Sequence, residues 1–187
     1  MYQNFAPLRH KEIVAHLAMG VRIFGSASYG ALRASELHAL GVVPLGGIAG
    51  AYCDGLISDD GEVAVLHSPE THHGRLTAPM VSVRFTIARL LDDRLFDASE
   101  AAEILSLLSN VNFSRRTVST IRQVLQYSGV ARHADLFLHE LCDKPDIKAE
   151  DAKQAILYVD QLGEHNDADR SSIRWQSAYA KAGEFIR

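Results

Sequence analysis

The sequence predicts an α/β class: a small α/β sheet unit in the N-terminal half, followed by a mainly α-helical C-terminal half. Three observations predict it. A β-prone run, Val21-Arg22-Ile23-Phe24, enters a small-residue turn from Gly25 to Gly30 and then strong helix formers from Ala31. A second apolar run, Glu62 to His67, follows the polar turn Ser58-Asp59-Asp60-Gly61. Past residue 78 the apolar positions recur with helical spacing almost to the end.

Each element has its own warrant. Arg9 to Met19 sets Ile13, Val14, Leu17 and Ala18 on one face, with Gly20 as a left-handed stop, so it reads as an amphipathic helix. The helix from Ala31 turns Leu32, Leu37 and Leu40 inward and ends at Gly41. Gly46 to Tyr52 is a short small-residue helix closed by the turn pair Asp54-Gly55. The run Glu62–Leu66 is expected to form a second strand that delivers His67 at its end. Pro69 and Pro79 bracket a loop with His72 and His73, and helices are expected near Ala78–Asp93, Ala98–Asn110, Ser114–Ser128, Ala131–Cys142, Ala149–Leu162 and Ser171–Phe185. The division this suggests is a core over residues 1–90 and a helical extension over 91–187, packed on the core.

Composition narrows the function classes. The chain has 187 residues, 47% hydrophobic and 22% charged, which suits a folded domain able to bury a core in water. A net charge of −4 offers no basic excess for phosphates and argues against nucleic acid as the main partner. Two distant cysteines, Cys53 and Cys142, form neither a disulfide framework nor a thiolate zinc site. With no signal-like start and no apolar run long enough to span a bilayer, the reading is cytoplasmic, with no membrane association.

Ser26-Ala27-Ser28-Tyr29-Gly30 has the spacing of a nucleophile elbow, with Ser26 where glycine is usual. There Ser28 would project its hydroxyl at a sheet edge, and the N–H groups of Tyr29 and Gly30 would hold an oxyanion or a carboxylate. The alternative is that Ser28 only caps the helix. A reactive serine needs a base, and His67, His10 and the pair His72 and His73 are the candidates, with His67 best placed if the strands are parallel. Arg33 and Glu36, three apart on one helix face, form an ion pair or leave Arg33 to hold a substrate carboxylate. Asp54, Asp59, Asp60 and Glu62 are turn residues or binding carboxylates. Cys53 reads as core rather than as a persulfide carrier. No metal set and no cofactor is expected.

Four blocks stand in order: His10-Lys11-Glu12; Val21 to Leu37, containing Gly25, Ser28, Gly30-Ala31-Leu32-Arg33-Ala34 and Glu36-Leu37; Ala51-Tyr52-Cys53-Asp54-Gly55; and Asp59-Asp60-Gly61-Glu62-Val63-Ala64-Val65-Leu66-His67. Together they resemble the TfuA-like family, from about Arg9 to about Leu90. Tyr29 stands where the family has Met, and Gly61 interrupts the acidic run. The resemblance implies an accessory protein that works with a YcaO enzyme in peptide backbone thioamidation, acting on a precursor peptide or protein. It implies that a ThiS-type sulfur carrier is hydrolysed to release sulfide, with Ser28 as nucleophile, His67 or His10 as base, and Tyr29, Gly30, Arg33, Glu36, Asp54, Asp59 and Asp60 binding substrate. The alternatives are a non-catalytic partner of YcaO or of the precursor, and a general serine esterase. The resemblance also implies more strands ahead of the His10 block, where nine residues stand here. A homodimer covering the open strand edge is therefore expected.

Overall fold

The computed structural model describes residues 8–68, 70 and 74–164. Within the chain two compact units separate, one continuous (Asp59–Asp146) and one built from two stretches, whose described parts are residues 8–58 and 147–164. No boundary falls at residue 90, because the helix that crosses it packs its Val83, Ile87 and Leu90 into the same core as the helices that follow.

In the discontinuous unit, α1 (His10–Ala18) leads through Gly20 to β1 (Phe24–Gly25), then α2 (Tyr29–Leu37) with a 3-10 turn His38–Leu40, β2 (Val43–Pro44), α3 (Gly47–Cys53) and, much later, α8 (Ile147–Glu164). Among the described residues the sheet is β1 beside β2, parallel, with Phe24 opposite Val43 and Gly25 opposite Pro44. This corrects the expected pairing. The partner of β1 is Val43-Pro44, and the run Glu62–Leu66 is not a strand. Asp59 caps a 3-10 turn over Asp60–Glu62, and His67 forms an isolated antiparallel bridge with Arg75.

Two face assignments also change. Ile13 is buried while Val14 is exposed, and Ala31, Ala34 and Leu37 are the buried positions of α2 while Leu40 is exposed. The reason is close packing against β1. A Cβ on Gly25 would lie 2.3 Å from the Gly30 carbonyl oxygen and 2.7 Å from the Ala34 side chain, so only small residues fit where α2 crosses the strand. Ile13, Ala34, Leu37 and Val42 form this unit's small apolar cluster, with Leu17 and Ile23 packed on it.

The continuous unit holds α4 (Met80–Asp92), α5 (Ala98–Ser109), α6 (Val118–Gln126) and α7 (Ala134–Asp143), with 3-10 turns at Phe113–Arg115 and Ala131–His133. These turns replace the starts of the two longer helices expected from Ser114 and Ala131. Asp97 and Glu100 form a reciprocal capping box on α5, and Thr117 caps α6 through the Thr120 N–H. Ile104, Leu108, Ile121, Leu125 and Phe137 are fully buried, and each such side chain contributes about 1.5–3 kcal/mol on burial. Arg116 lies among them, donating to the carbonyls of Leu108, Ala78 and Val111. Glu62 and Arg84 make a two-bond ion pair at 2.8 and 3.1 Å. The helix expected over Ser171–Phe185 and the pair His72 and His73 lie outside the described residues.

Candidate functional site

The turn after β1 carries local strain. Ala27 has φ +66°, in the left-handed region that a side chain disfavours, and Ser28 follows as the residue before α2. Ser28 occupies the N-cap position, and its side chain makes no capping hydrogen bond.

One turn into α2, Arg33 lies over the Tyr29 ring, its guanidinium carbon 4.2 Å from the ring centre. Its Nη1 pairs with Glu36 and lies 3.2 Å from His10 Nε2. His10 comes from the start of α1, and its Nε2 meets the same Glu36 oxygen at 2.8 Å. Nε2 meets an acceptor in Glu36 and a donor in Arg33 Nη1, so it donates to the first or accepts from the second according to which ring nitrogen carries the proton. Burial alone would raise the Glu36 pKa, but the bonds and charges of Arg33 and His10 outweigh it and hold the carboxyl below its ordinary value. Arg33 Nε is buried and has no hydrogen-bond partner among the described residues. Other atoms of Arg33 line a cavity of about 430 Å³ whose walls also include Ile13, Ile23, Phe24, Tyr29 and Val42.

The turn after β2 is held by a residue that the sequence reading did not single out. Asp151, on α8, is 5% exposed, and its two carboxylate oxygens accept from the N–H groups of Gly47 at 3.0 Å and Ile48 at 2.9 Å. Its own carbonyl accepts from Ser26 Oγ at 3.2 Å. Asp151 therefore ties together the turns that leave the carboxyl ends of both strands, the edge where open parallel sheets bind ligands. Gly46, at φ +94°, passes so close that a Cβ would sit 2.5 Å from the Asp151 carboxylate. Burial raises the Asp151 pKa against the opposing pull of the two N–H groups. The only sequence sign of this contact was the Gly46-Gly47 pair, which marks a close approach without naming the visitor.

The remaining candidates are divided. Asp54 ends α3 in the same unit as Ser28. His67, Asp59 and Asp60 belong to the continuous unit, where Asp59 and Asp60 line a cavity of about 450 Å³ with Glu62, Asn112 and Arg116. Cys53 is exposed rather than core, and burial of its thiol, together with Asp54, pushes its pKa up. Among the described residues no group of three or more His, Cys, Asp or Glu side chains could hold a metal ion, and no helix is long and apolar enough to cross a membrane.

The family model described as TfuA-like protein matches residues 1–117. The chain belongs to the TfuA-like family. No curated protein matches it. The matched stretch contains α1 to α5, hence Ser28, His10, Arg33 and Glu36, and it stops before α8 and Asp151. Membership supports an accessory role in the setting of thioamide formation and association with a YcaO-type partner.

Proposed function

We propose that this TfuA-like chain releases sulfide from a thiocarboxylated ThiS-type carrier for a YcaO enzyme that thioamidates a precursor peptide or protein. Ser28, or a water beside it, attacks the carrier's terminal thioacyl carbon. His10 takes the proton and passes it to the departing sulfur, the N–H groups of Tyr29 and Gly30 hold the oxyanion, and HS⁻ leaves as the tetrahedral centre collapses. With Ser28 as nucleophile, water then cleaves the acyl-enzyme and returns the carrier as a carboxylate. Arg33 orients the carrier's tail.

The observation that supports this reading is the convergence of His10, Arg33 and Glu36 on the helix that begins at Ser28. Glu36 meets His10 Nε2 at 2.8 Å, where the acid of a serine–histidine–acid site would hold its histidine. His10 is preferred over His67 as the base because α1 belongs to the same unit as β1 and α2.

A second reading has an observation of its own. Glu36 satisfies both His10 and Arg33, as a structural ion-pair network would, and this favours a non-catalytic partner that docks on YcaO or the precursor. Incubating the purified chain with thiocarboxylated carrier and measuring free sulfide separates the two. Catalysis predicts a loss of about 100-fold or more in Ser28→Ala and in His10→Gln. A Ser28→Ala variant that releases sulfide at the unaltered rate overturns it in favour of docking.

A further inference from the structure

The outer side of α8 carries an apolar stripe left open among the described residues. Ile156 is 70% exposed, Leu157 47% and Val159 40%, on a helix that buries Ile147, Asp151 and Leu162 elsewhere on its surface. Residues 153, 156, 157 and 160 fall three, four and seven positions apart, so they share one face. Lys153 begins that face and Asp160 ends it, and both are exposed. Beside it Ala155, Ile156 and Val159 wall a cavity of about 510 Å³ with Phe24 and Ser26. Along α8 the face is therefore basic, then apolar, then acidic, with an opening of aromatic size at its apolar centre.

Residues 165–187 follow α8 directly. The six residues His165 to Arg170 are mostly polar and have the length of an ordinary connection between two helices. After them Ser171-Ser172 is a helix-start signal, and Trp175, Ala178, Tyr179, Ala182 and Ile186 recur at helical spacing. Arg174 stands near the beginning of this run and Glu184 near its other end. A helix returning antiparallel along α8 after that connection brings Trp175 level with Asp160 and Tyr179 level with Ile156. It also puts Arg174 beside Asp160 and Glu184 toward Lys153, so the charges match as well as the apolar positions.

A second copy of α8, reversed, would set Lys153 against Asp160 too, and it is the rival occupant. Two things favour the chain's own segment. The connection holds it at an effective concentration of about millimolar, which a second molecule does not reach in dilute solution. It also brings two aromatic side chains to the height of the cavity, where the exposed face of a second α8 brings Ile156 and Leu157.

We propose that residues 171–186 fold back along α8 as an antiparallel helix, with Trp175 and Tyr179 covering Ile156 and Val159, closing the cavity beside Phe24, and with Arg174 paired to Asp160. The docking stands whether or not the chain releases sulfide. It gives the α8 face to the chain itself, so a partner protein binds another surface or displaces this segment first.

Trp175 is the single tryptophan of the chain, so intrinsic fluorescence of the full-length protein reads its surroundings alone. In the folded chain its emission is expected to be blue-shifted and its quenching by acrylamide about threefold weaker than in the urea-unfolded chain, as for a ring held against apolar side chains. Ile156→Asp, at an exposed position, is expected to shift the emission to the red and to raise quenching to the unfolded level while the amide signals of α2 keep their positions. Asp160→Arg is expected to raise quenching about twofold, and the double reversal Asp160→Arg with Arg174→Asp to restore protection.

Quenching in the folded chain equal to that in urea overturns the docking. Protection that Ile156→Asp leaves intact overturns it as well, because Trp175 is then covered by another surface. Protection that fades on dilution, together with a dimer in sedimentation, gives the face to a second copy and also overturns it. Should Ile156→Asp fail to fold, the charge reversal decides alone, and a double reversal that does not restore protection overturns the pairing along α8.

Discussion

The two units of this chain are held together by different means. The helical unit follows ordinary rules: capped helices, a contiguous aliphatic core and a buried Arg116 whose bonds all go to carbonyls. The α/β unit has a small apolar cluster and relies instead on glycine contacts, a strained turn and a buried carboxylate, with a cavity beside its arginine. The difference teaches where local rules give way, and the proposed site lies there. Local rules are broken at the turns of the α/β unit, and Asp151 supplies the compensation.

Large changes should respect this division. Phe137→Ala removes a fully buried ring and is expected to cost about 3–5 kcal/mol, with hydrogen-exchange protection lost across α4 to α7 and kept in α2 and α3. Equal loss in both would mean that the units unfold as one. In the α/β unit, Asp151→Ala leaves the buried Gly47 and Ile48 N–H groups unpaired and is expected to cost about 2–4 kcal/mol in urea unfolding. Protection should fall first in α3 and α8. Gly46→Ala combines an unfavourable φ with the 2.5 Å contact and should cost about 1–3 kcal/mol by the same measure.

The smallest effects are in pH dependence, and there two acids of the α/β unit act in opposite directions. Glu36 has a lowered folded pKa, so its contribution is present above the ordinary carboxylate value and lost as pH falls through the folded one. Asp151 has a raised folded pKa, so its contribution is full below the ordinary value and lost as pH rises through the folded one. Relative to the wild type, Glu36→Gln should lose its stability deficit on acidification, whereas Asp151→Asn should lose ground there. Glu100 in the helical unit, held down to about 2 by the Asp97 backbone N–H and by Arg132 and His133, should keep its charge in an NMR titration well below pH 4.

The sequence was legible where local chemistry decides. Asp97 and Glu100 announce a helix start, Gly20 and Gly41 announce stops at φ +82° and +108°, and the four-block pattern carried the family. It misled where two segments compete for one role. Glu62 to Leu66 has the apolar character of a strand, but Asp59 bends its start into a 3-10 turn and Arg84 holds the Glu62 carboxylate. Val43-Pro44 is too short to register as a strand, and its proline argues against one. Ser28, Arg33 and Glu36 were readable from spacing, but the meeting of Arg33 and Glu36 with His10 depends on how α1 crosses α2. Asp151 sits in the charged run Lys148 to Lys153 and looks like a solvated surface residue until α8 packs on α3.

Asp151 reaches Gly47 across 104 residues of chain, and the whole helical unit lies between them. On the ribosome the order of events follows. The helical unit is complete as soon as its last helix emerges, whereas β1, β2 and α3 are made first and must wait for α8 before the amides of Gly47 and Ile48 find their acceptor. During that interval the sheet edges and the strained turn are uncapped in the nascent chain. A pause or truncation ahead of α8 would therefore leave the family-matched half synthesised but unsealed, a substrate for chaperones and proteases rather than for its own partners.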